Sequence, residues 1–142
     1  MKVFDYSLVK DPRYFKDGRM DAHSDHTYYR DGEEAKEKET SFRYDLNGIW
    51  KFHYARNYGS AISGFEKEEY CCKDWDDIRV PAHIQMEGYD APQYANVQYP
   101  WEGHEDIHPG EIPEHFNPVA SYVKYFEVPE EMQGKRLFIS FQ

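Results

Sequence analysis

The chain has 142 residues, which is enough for one domain with a hydrophobic core. It carries 27 acidic and 17 basic residues, and the net charge of −10 argues against nucleic acid and anionic membranes as partners. Aromatic residues make up 18% of the chain, which favours strands and carbohydrate-facing surfaces over helical bundles.

Targeting and redox signals are sparse. No stretch approaches the roughly 20 apolar residues of a membrane span, and the N-terminal segment lacks the apolar core of a signal peptide. Cys71 and Cys72 are adjacent, so neither a disulfide between them nor a zinc site is expected. These features predict a cytoplasmic protein with reduced thiols.

Residues 1–40 are polar and irregular, and they are interpreted as an N-terminal arm that precedes a domain over residues 41–142. Asp11-Pro12 and Asp17-Gly18 are typical of turns. The charged run over residues 31–39 predicts a short, solvated helical turn because it has no apolar stripe to pack. A mobile extension is the simplest interpretation of these residues.

Four segments have strand patterns. Over residues 46–54 the apolar side chains alternate with Lys51 and His53, which places His53 on the solvent face. Residues 77–80, 121–128 and 135–141 are the others, and residues 135–141 are apolar on both faces, as in a covered central strand. The patterns predict an antiparallel β-sandwich, left incomplete where the chain ends within the last strand. Its expected core residues are Trp50, Phe52, Val123 or Phe126, Leu137 and Ile139.

Residues 79–100 form the least regular part of the chain. They contain three prolines and three tyrosines but no apolar run at a helix or strand period. Gly88 provides a position for left-handed backbone geometry. Because disordered segments are poor in aromatic residues, we expect an ordered loop that presents Asn96 and its neighbours.

Residues 101–116 carry three histidines, at 104, 108 and 115, among five acidic residues. His104 and His108 are four residues apart, as metal ligands on a helix would be. Pro109-Gly110 and the lack of a helical stripe argue against a shared helix face. A solvated loop is therefore favoured over a metal site.

The residues around the central loop form a recognisable series. They are Leu46-Asn47-Gly48-Ile49-Trp50-Lys51-Phe52, Val80-Pro81, Gln85-Met86, Gly88-Tyr89-Asp90-Ala91-Pro92, Tyr94, Asn96-Val97, Tyr99-Pro100, Asn117-Pro118 and Tyr122. This series resembles the N-terminal sugar-binding domain of the glycoside hydrolase family 2 β-galactosidases. The family usually has a tryptophan before the Gln-Met pair, where this chain has Ile84.

The resemblance implies a jelly-roll β-sandwich whose asparagine at position 96 hydrogen-bonds galactosyl hydroxyls, with Val97 lining the same wall. It implies a protein that hydrolyses terminal β-D-galactosides such as lactose, with the rest of the β-galactosidase chain and a homo-oligomer as partners. The catalytic carboxylates of the family lie on a (β/α)₈ barrel outside this chain, so we expect no catalytic residue and no activity here.

The resemblance also bears on metals. The full-length enzymes hold magnesium and sodium, and no metal ligand is expected in this chain. The family's aspartate that binds sugar and sodium would lie beyond Gln142. The long arms of the family also make subunit contacts, so the resemblance implies this role for residues 1–40 as the alternative to a mobile extension. Some of these arms hold a structural magnesium ion, which would implicate the region around Asp11.

Two other functions remain open at this point. The chain is a stand-alone carbohydrate-binding module, or it is a structural fragment that contributes subunit contacts without binding sugar. For Asn96 itself, the structural alternative to sugar contact is that its side chain caps a turn. An unpaired central strand argues against the self-contained module, because such modules normally close their own sandwich.

Overall fold

A computed structural model describes residues 5–92, 96–97 and 101–141. These residues contain a three-stranded antiparallel sheet whose central strand is the first in the chain. No helix among them has the length and apolar content to cross a membrane. The largely β character and the strands predicted at residues 46–54 and 77–80 are confirmed. The strands are β1 (Gly48–Ala55), β2 (Asp76–Val80) and β3 (Val119–Val123); the helices are α1 (Gly32–Glu37) and the 3₁₀ helices Tyr6–Lys10, Tyr58–Ser60, Ile84–Glu87 and Glu130–Met132.

The chain divides into two compact units. The first comprises Met1–Met20 and Gly48–Val123, and the second comprises Asp21–Asn47 and Lys124–Gln142. The boundary between an arm over residues 1–40 and a domain over residues 41–142 stays a prediction.

Strand β1 is the centre of the first unit because both of its edges are paired. Phe52 lies opposite Asp76 on β2 and Tyr122 on β3, and its side chain is fully buried. Trp50 lies opposite Ile78, which is also buried. Phe52 is thus confirmed as a core residue, whereas Trp50 is half-buried.

The other face of β1 is covered as well, which corrects the assignment of His53 to solvent. The His53 ring lies 5.4 Å from the ring of Trp75, and Ala55 on the same face is buried. Trp75 in turn packs against Phe65 and Tyr70, at centroid distances of 5.4 and 5.9 Å. Trp75 is itself buried. His53 is half-buried by this aromatic cluster. The strand pattern could not indicate this, because the cluster comes from a connection that has no such pattern.

The start of the arm packs within the first unit. The ring of Tyr6 stacks on that of Tyr58 at a centroid distance of 4.0 Å, and the Asn117 amide donates a hydrogen bond to the Tyr6 hydroxyl. The predicted turn at Asp11 is confirmed by the bond from the Tyr14 N–H to the Asp11 carbonyl. The start of the arm is therefore packed within this unit, and the mobility of the arm stays a prediction.

The second unit contains the short helix predicted over residues 31–39. The Asp31 carboxylate accepts from the backbone N–H groups of Glu33 and Glu34, which caps α1. None of the residues of α1 is buried, as its missing apolar stripe predicts. Phe42 and Lys135 make a cation–π contact at 4.8 Å, and Met132 is buried.

The predictions for the C-terminal segments are wrong in two respects. Strand β3 ends at Val123 rather than at residue 128, and Val123 is half-buried whereas Phe126 is exposed. Residues 135–141 contain no strand, and Leu137 and Ile139 are 51% and 60% exposed. The physical reason is pairing: a strand needs a neighbour for its N–H and C=O groups, and in the described part of the chain no strand pairs with residues 135–141.

Candidate functional site

The segment that leads to Asn96 begins with a short 3₁₀ helix, Ile84–Glu87. This helix ends at Gly88, whose φ of 94° lies in the left-handed region that only glycine adopts cheaply. The N–H of Tyr89 donates to the Ile84 carbonyl at 3.0 Å and closes the turn. The positive φ predicted for Gly88 is confirmed, and it directs Tyr89 back toward the sheet.

Tyr89 bonds this segment to two strands at once. Its ring lies 4.5 Å from the ring of Phe52 on β1, and its hydroxyl donates to the Asp76 carboxylate on β2 at 2.8 Å. Burial, followed by the hydrogen bond to Asp76, raises the pKa of Tyr89 to about 12. The hydroxyl therefore remains a neutral donor at physiological pH.

Asn96 and Val97 lie in a turn and are both exposed, with Val97 75% exposed. An exposed amide is accessible to a hydroxyl, to which it can both donate and accept. The predicted order of residues 79–100 falls partly on residues 93–95 and 98–100, which lie outside the described residues. Sugar contact by Asn96 and Val97 stays a prediction.

Glu105 organises the segment that follows. The N–H groups of His104 and Glu105 both donate to the Trp101 carbonyl, at 3.0 and 3.2 Å. The Glu105 carboxylate accepts from the backbone N–H groups of Glu114, His115 and Phe116; the distances are 2.8, 2.9 and 3.2 Å. Three successive N–H groups on one carboxylate resemble an anion-binding nest.

The hydrogen bonds to Glu105 also favour its ionised, negatively charged form. The hydrogen bond from the Glu114 N–H has the largest effect and lowers the pKa of Glu105. Burial raises this pKa, and the N–H groups of His115 and Phe116 lower it, so that the pKa lies below its usual range. The side chain is only 15% exposed. Sequence reasoning missed this role because the partners lie nine to eleven residues away with no helix or strand period between them.

The three histidines of residues 101–116 have separate environments. The ring of His104 stacks on Phe116 at 4.1 Å. His108 interacts with Glu111 at 3.2 Å, and His115 lies 3.5 Å from Glu105. This segment contains neither helix nor strand, in agreement with the predicted loop. Within residues 5–92, 96–97 and 101–141, no group of three or more His, Cys, Asp or Glu side chains is arranged to hold a metal.

Asp11 is paired with an arginine side chain. Both carboxylate oxygens of Asp11 accept from the Arg13 guanidinium, each at 2.9 Å. This bond, followed by the N–H of Arg13, lowers the pKa of Asp11. A magnesium ion near Asp11 stays a prediction.

Comparison with known families connects these elements to a class of protein. The model of the glycosyl hydrolases family 2 sugar-binding domain matches residues 43–142, which include all three strands, Tyr89, Asn96 and Glu105. The chain belongs to this family. The resemblance drawn from the central motif is thereby confirmed.

The relatives of this family 2 chain include β-galactosidases from several bacteria. It is 53% identical over 137 residues to the β-galactosidase of Halalkalibacterium halodurans, covering 96% of this chain and 14% of the relative. The β-galactosidase of Streptococcus thermophilus is 43% identical, covering 96% of this chain and 13% of that protein. The β-galactosidase large subunit of Latilactobacillus sakei is 36% identical, with 92% and 23% covered. The chain thus spans less than a quarter of the length of these curated relatives.

Proposed function

We propose that this chain is the sugar-binding N-terminal part of a β-galactosidase. The observation that carries the proposal is the 53% identity to the Halalkalibacterium halodurans β-galactosidase over nearly the whole chain. The match to a sugar-binding domain model supports the same role. A stand-alone binding module or a purely structural fragment is not favoured, since the relatives bear the names of glycosidases.

In this function the chain contributes to substrate binding, and another part of the polypeptide carries out bond cleavage. Retaining hydrolysis requires two carboxylates about 5 Å apart on either side of the glycosidic bond. We assign both to polypeptide outside this chain. The sheet β2–β1–β3 would be part of a larger jelly-roll sandwich in a homo-oligomeric, cytoplasmic enzyme. The free thiols of Cys71 and Cys72 support a reducing compartment.

Asn96 would contact the terminal galactosyl group. Its amide can donate to one sugar hydroxyl and accept from another, while the exposed apolar surface of Val97 is covered by the sugar. A hydrogen bond to a sugar contributes more binding free energy when the substrate excludes water, because losing one partner then leaves the other unpaired. Asn96 is therefore a specificity residue rather than a source of chemistry.

A chimera tests this function. The segment of the Halalkalibacterium halodurans β-galactosidase that aligns with this chain is replaced by this chain, and hydrolysis of a chromogenic β-galactoside is measured. We expect turnover close to that of the unmodified relative. In the chimera, Asn96→Ala should reduce transition-state stabilisation, measured by kcat/KM, by about 1–3 kcal/mol.

Gln133→Ala is the control, since it removes another exposed amide, in the second unit. It should leave kcat/KM unchanged. A folded chimera without turnover would contradict the proposed function. An Asn96→Ala chimera with unaltered kinetics would remove Asn96 from the site while leaving the function in place.

The isolated chain provides a separate test. We expect no galactoside hydrolysis by the purified chain, because the proposal assigns the catalytic carboxylates elsewhere. Turnover by this chain alone, surviving repeated purification and absent from a mock preparation, would overturn that division of roles.

A further inference from the structure

Two carboxylates bind the chain on either side of Asn96 and Val97. Upstream, the Asp76 carboxylate accepts from the hydroxyl of Tyr89, seven residues before Asn96. Downstream, the Glu105 carboxylate accepts from three backbone N–H groups, eight residues after Val97. The Asn96-Val97 turn therefore lies between two charge-assisted attachments, which are the stronger class of hydrogen bond.

The upstream attachment is rigid because it combines three contacts. Tyr89 packs on Phe52, which is fully buried in the centre of β1. Its hydroxyl reaches Asp76 at the start of β2, and its N–H closes the turn after the helix Ile84–Glu87. Movement of Tyr89 would break all three contacts together.

The downstream attachment is also connected to β1. The segment that Glu105 binds receives a hydrogen bond from the Asn57 amide to the His115 carbonyl at 3.2 Å. The N–H of Asn117 donates to the Arg56 carbonyl at 3.0 Å. Arg56 and Asn57 directly follow β1. Both attachments thus lead to the same central strand.

We propose that Tyr89 and Glu105 are positioning residues that hold Asn96 where it meets the sugar. This inference rests on the proposed function. Neither side chain touches the sugar. Each acts through Asn96, because a residue presented between two attachments to one strand loses less conformational freedom on binding than one on an unattached segment.

The first experiment measures amide hydrogen exchange by NMR in this chain itself, comparing Glu105→Gln with Glu114→Gln. The neutral amide of a glutamine at position 105 accepts more weakly, and its NH₂ group opposes the backbone donors. We expect protection of the amides of residues 114–116 to fall about 10-fold or more in Glu105→Gln, in line with the loss of a charge-assisted bond. Glu114→Gln makes the same charge change on an exposed side chain and should leave protection unchanged.

Amides of β1 serve as the folding control in both variants. If they keep their protection while residues 114–116 lose theirs, the bonding role of Glu105 is supported. If residues 114–116 exchange as in the unmodified chain, the downstream attachment has no effect on backbone order and the inference is overturned.

The second experiment uses the chimera and asks whether both residues act through Asn96. Glu105→Gln and Tyr89→Phe should each lower kcat/KM about 10-fold, since sub-ångström misplacement of a binding group already carries a kinetic cost. Glu114→Gln and Tyr28→Phe are the matched controls, because both side chains are exposed. They should retain the kinetics of the chimera.

The decisive measurement is a double-mutant cycle with Asn96→Ala. If Tyr89 and Glu105 work by positioning Asn96, their substitutions should cost less than about 2-fold once Asn96 is an alanine. A full, additive loss in that background would assign them a general structural role and overturn the inference. An inactive but folded chimera would instead overturn the proposed function, and the positioning role would fall with it.

Discussion

Strand β1 and the segment over residues 135–141 both carry closely spaced apolar side chains, but only β1 buries any of them fully. Phe52 in β1 is 0% exposed, whereas Phe141 is 77% exposed. The difference lies in the neighbours. Strand β1 is hydrogen-bonded to a strand on each edge, and its two faces are covered by Tyr89 on one side and Trp75 on the other.

The comparison shows that an apolar pattern specifies which side chains would share a face but does not supply the partner for that face. Backbone pairing with β2 and β3 brings Ile78 and Tyr122 to the β1 side chains. Residues 135–141 have a pattern that is at least as apolar, and they remain in turn and irregular structure.

The largest expected effect is that of Phe52→Ala. Removing this buried ring should lower the free energy of unfolding by about 3–5 kcal/mol, because it leaves a cavity in the centre of the sheet. The matched substitution Phe141→Ala removes an exposed ring and should change it by less than about 0.5 kcal/mol. Urea unfolding followed by tryptophan fluorescence measures both, and similar losses for the two variants would break the comparison.

A smaller effect is expected for Tyr89→Phe, which keeps the ring packed against Phe52 of β1 and removes the hydrogen bond to Asp76. Below pH 9 we expect a loss of about 1 kcal/mol in unfolding free energy, typical of one hydrogen bond. Folding raises the pKa of Tyr89 from 10.0 to about 12. The stability that this provides is fully present below pH 10 and is lost as the pH rises toward 12.

The measurement for this prediction is the pH dependence of urea unfolding in the unmodified chain and in Tyr89→Phe. Their stabilities should converge between pH 10 and 12. The pKa values of Tyr54 and Tyr122 are also raised, chiefly by burial. Only the difference between the two proteins therefore reports on Tyr89, and a constant difference across this range would contradict the raised pKa of Tyr89.

The smallest effects concern ion pairs. Lys51 and Asp77 face each other across β1 and β2 at 2.8 Å, with side chains 28% and 61% exposed. Asp77→Asn should cost less than about 1 kcal/mol and less again at high salt.

In α1, Glu33 and Lys36 are 79% and 72% exposed, and Glu33→Gln should cost about 0.3 kcal/mol. Urea unfolding at low and high salt measures both variants. A larger loss of unfolding free energy for Glu33→Gln than for Asp77→Asn would contradict the expected order.

The sequence by itself determined the features that depend on residues close together in the chain. The alternation around Trp50 and Phe52 predicted β1, the charged run predicted α1, and Gly88 predicted the left-handed turn before Tyr89. The motif residues, most of them within residues 80–100, indicated the family whose domain model matches residues 43–142. Each of these signals is local, because strand period, helix capping and backbone sterics act over a few residues.

The tertiary structure alone decided which distant groups meet. Glu105 and its N–H donors are nine to eleven residues apart, and Tyr89 is thirteen residues from Asp76. It also placed Trp75 against His53, and among the described residues it left residues 135–141 without a paired strand. Such outcomes follow from strand pairing and from hydrogen bonds between segments, and neither leaves a period in the amino-acid sequence.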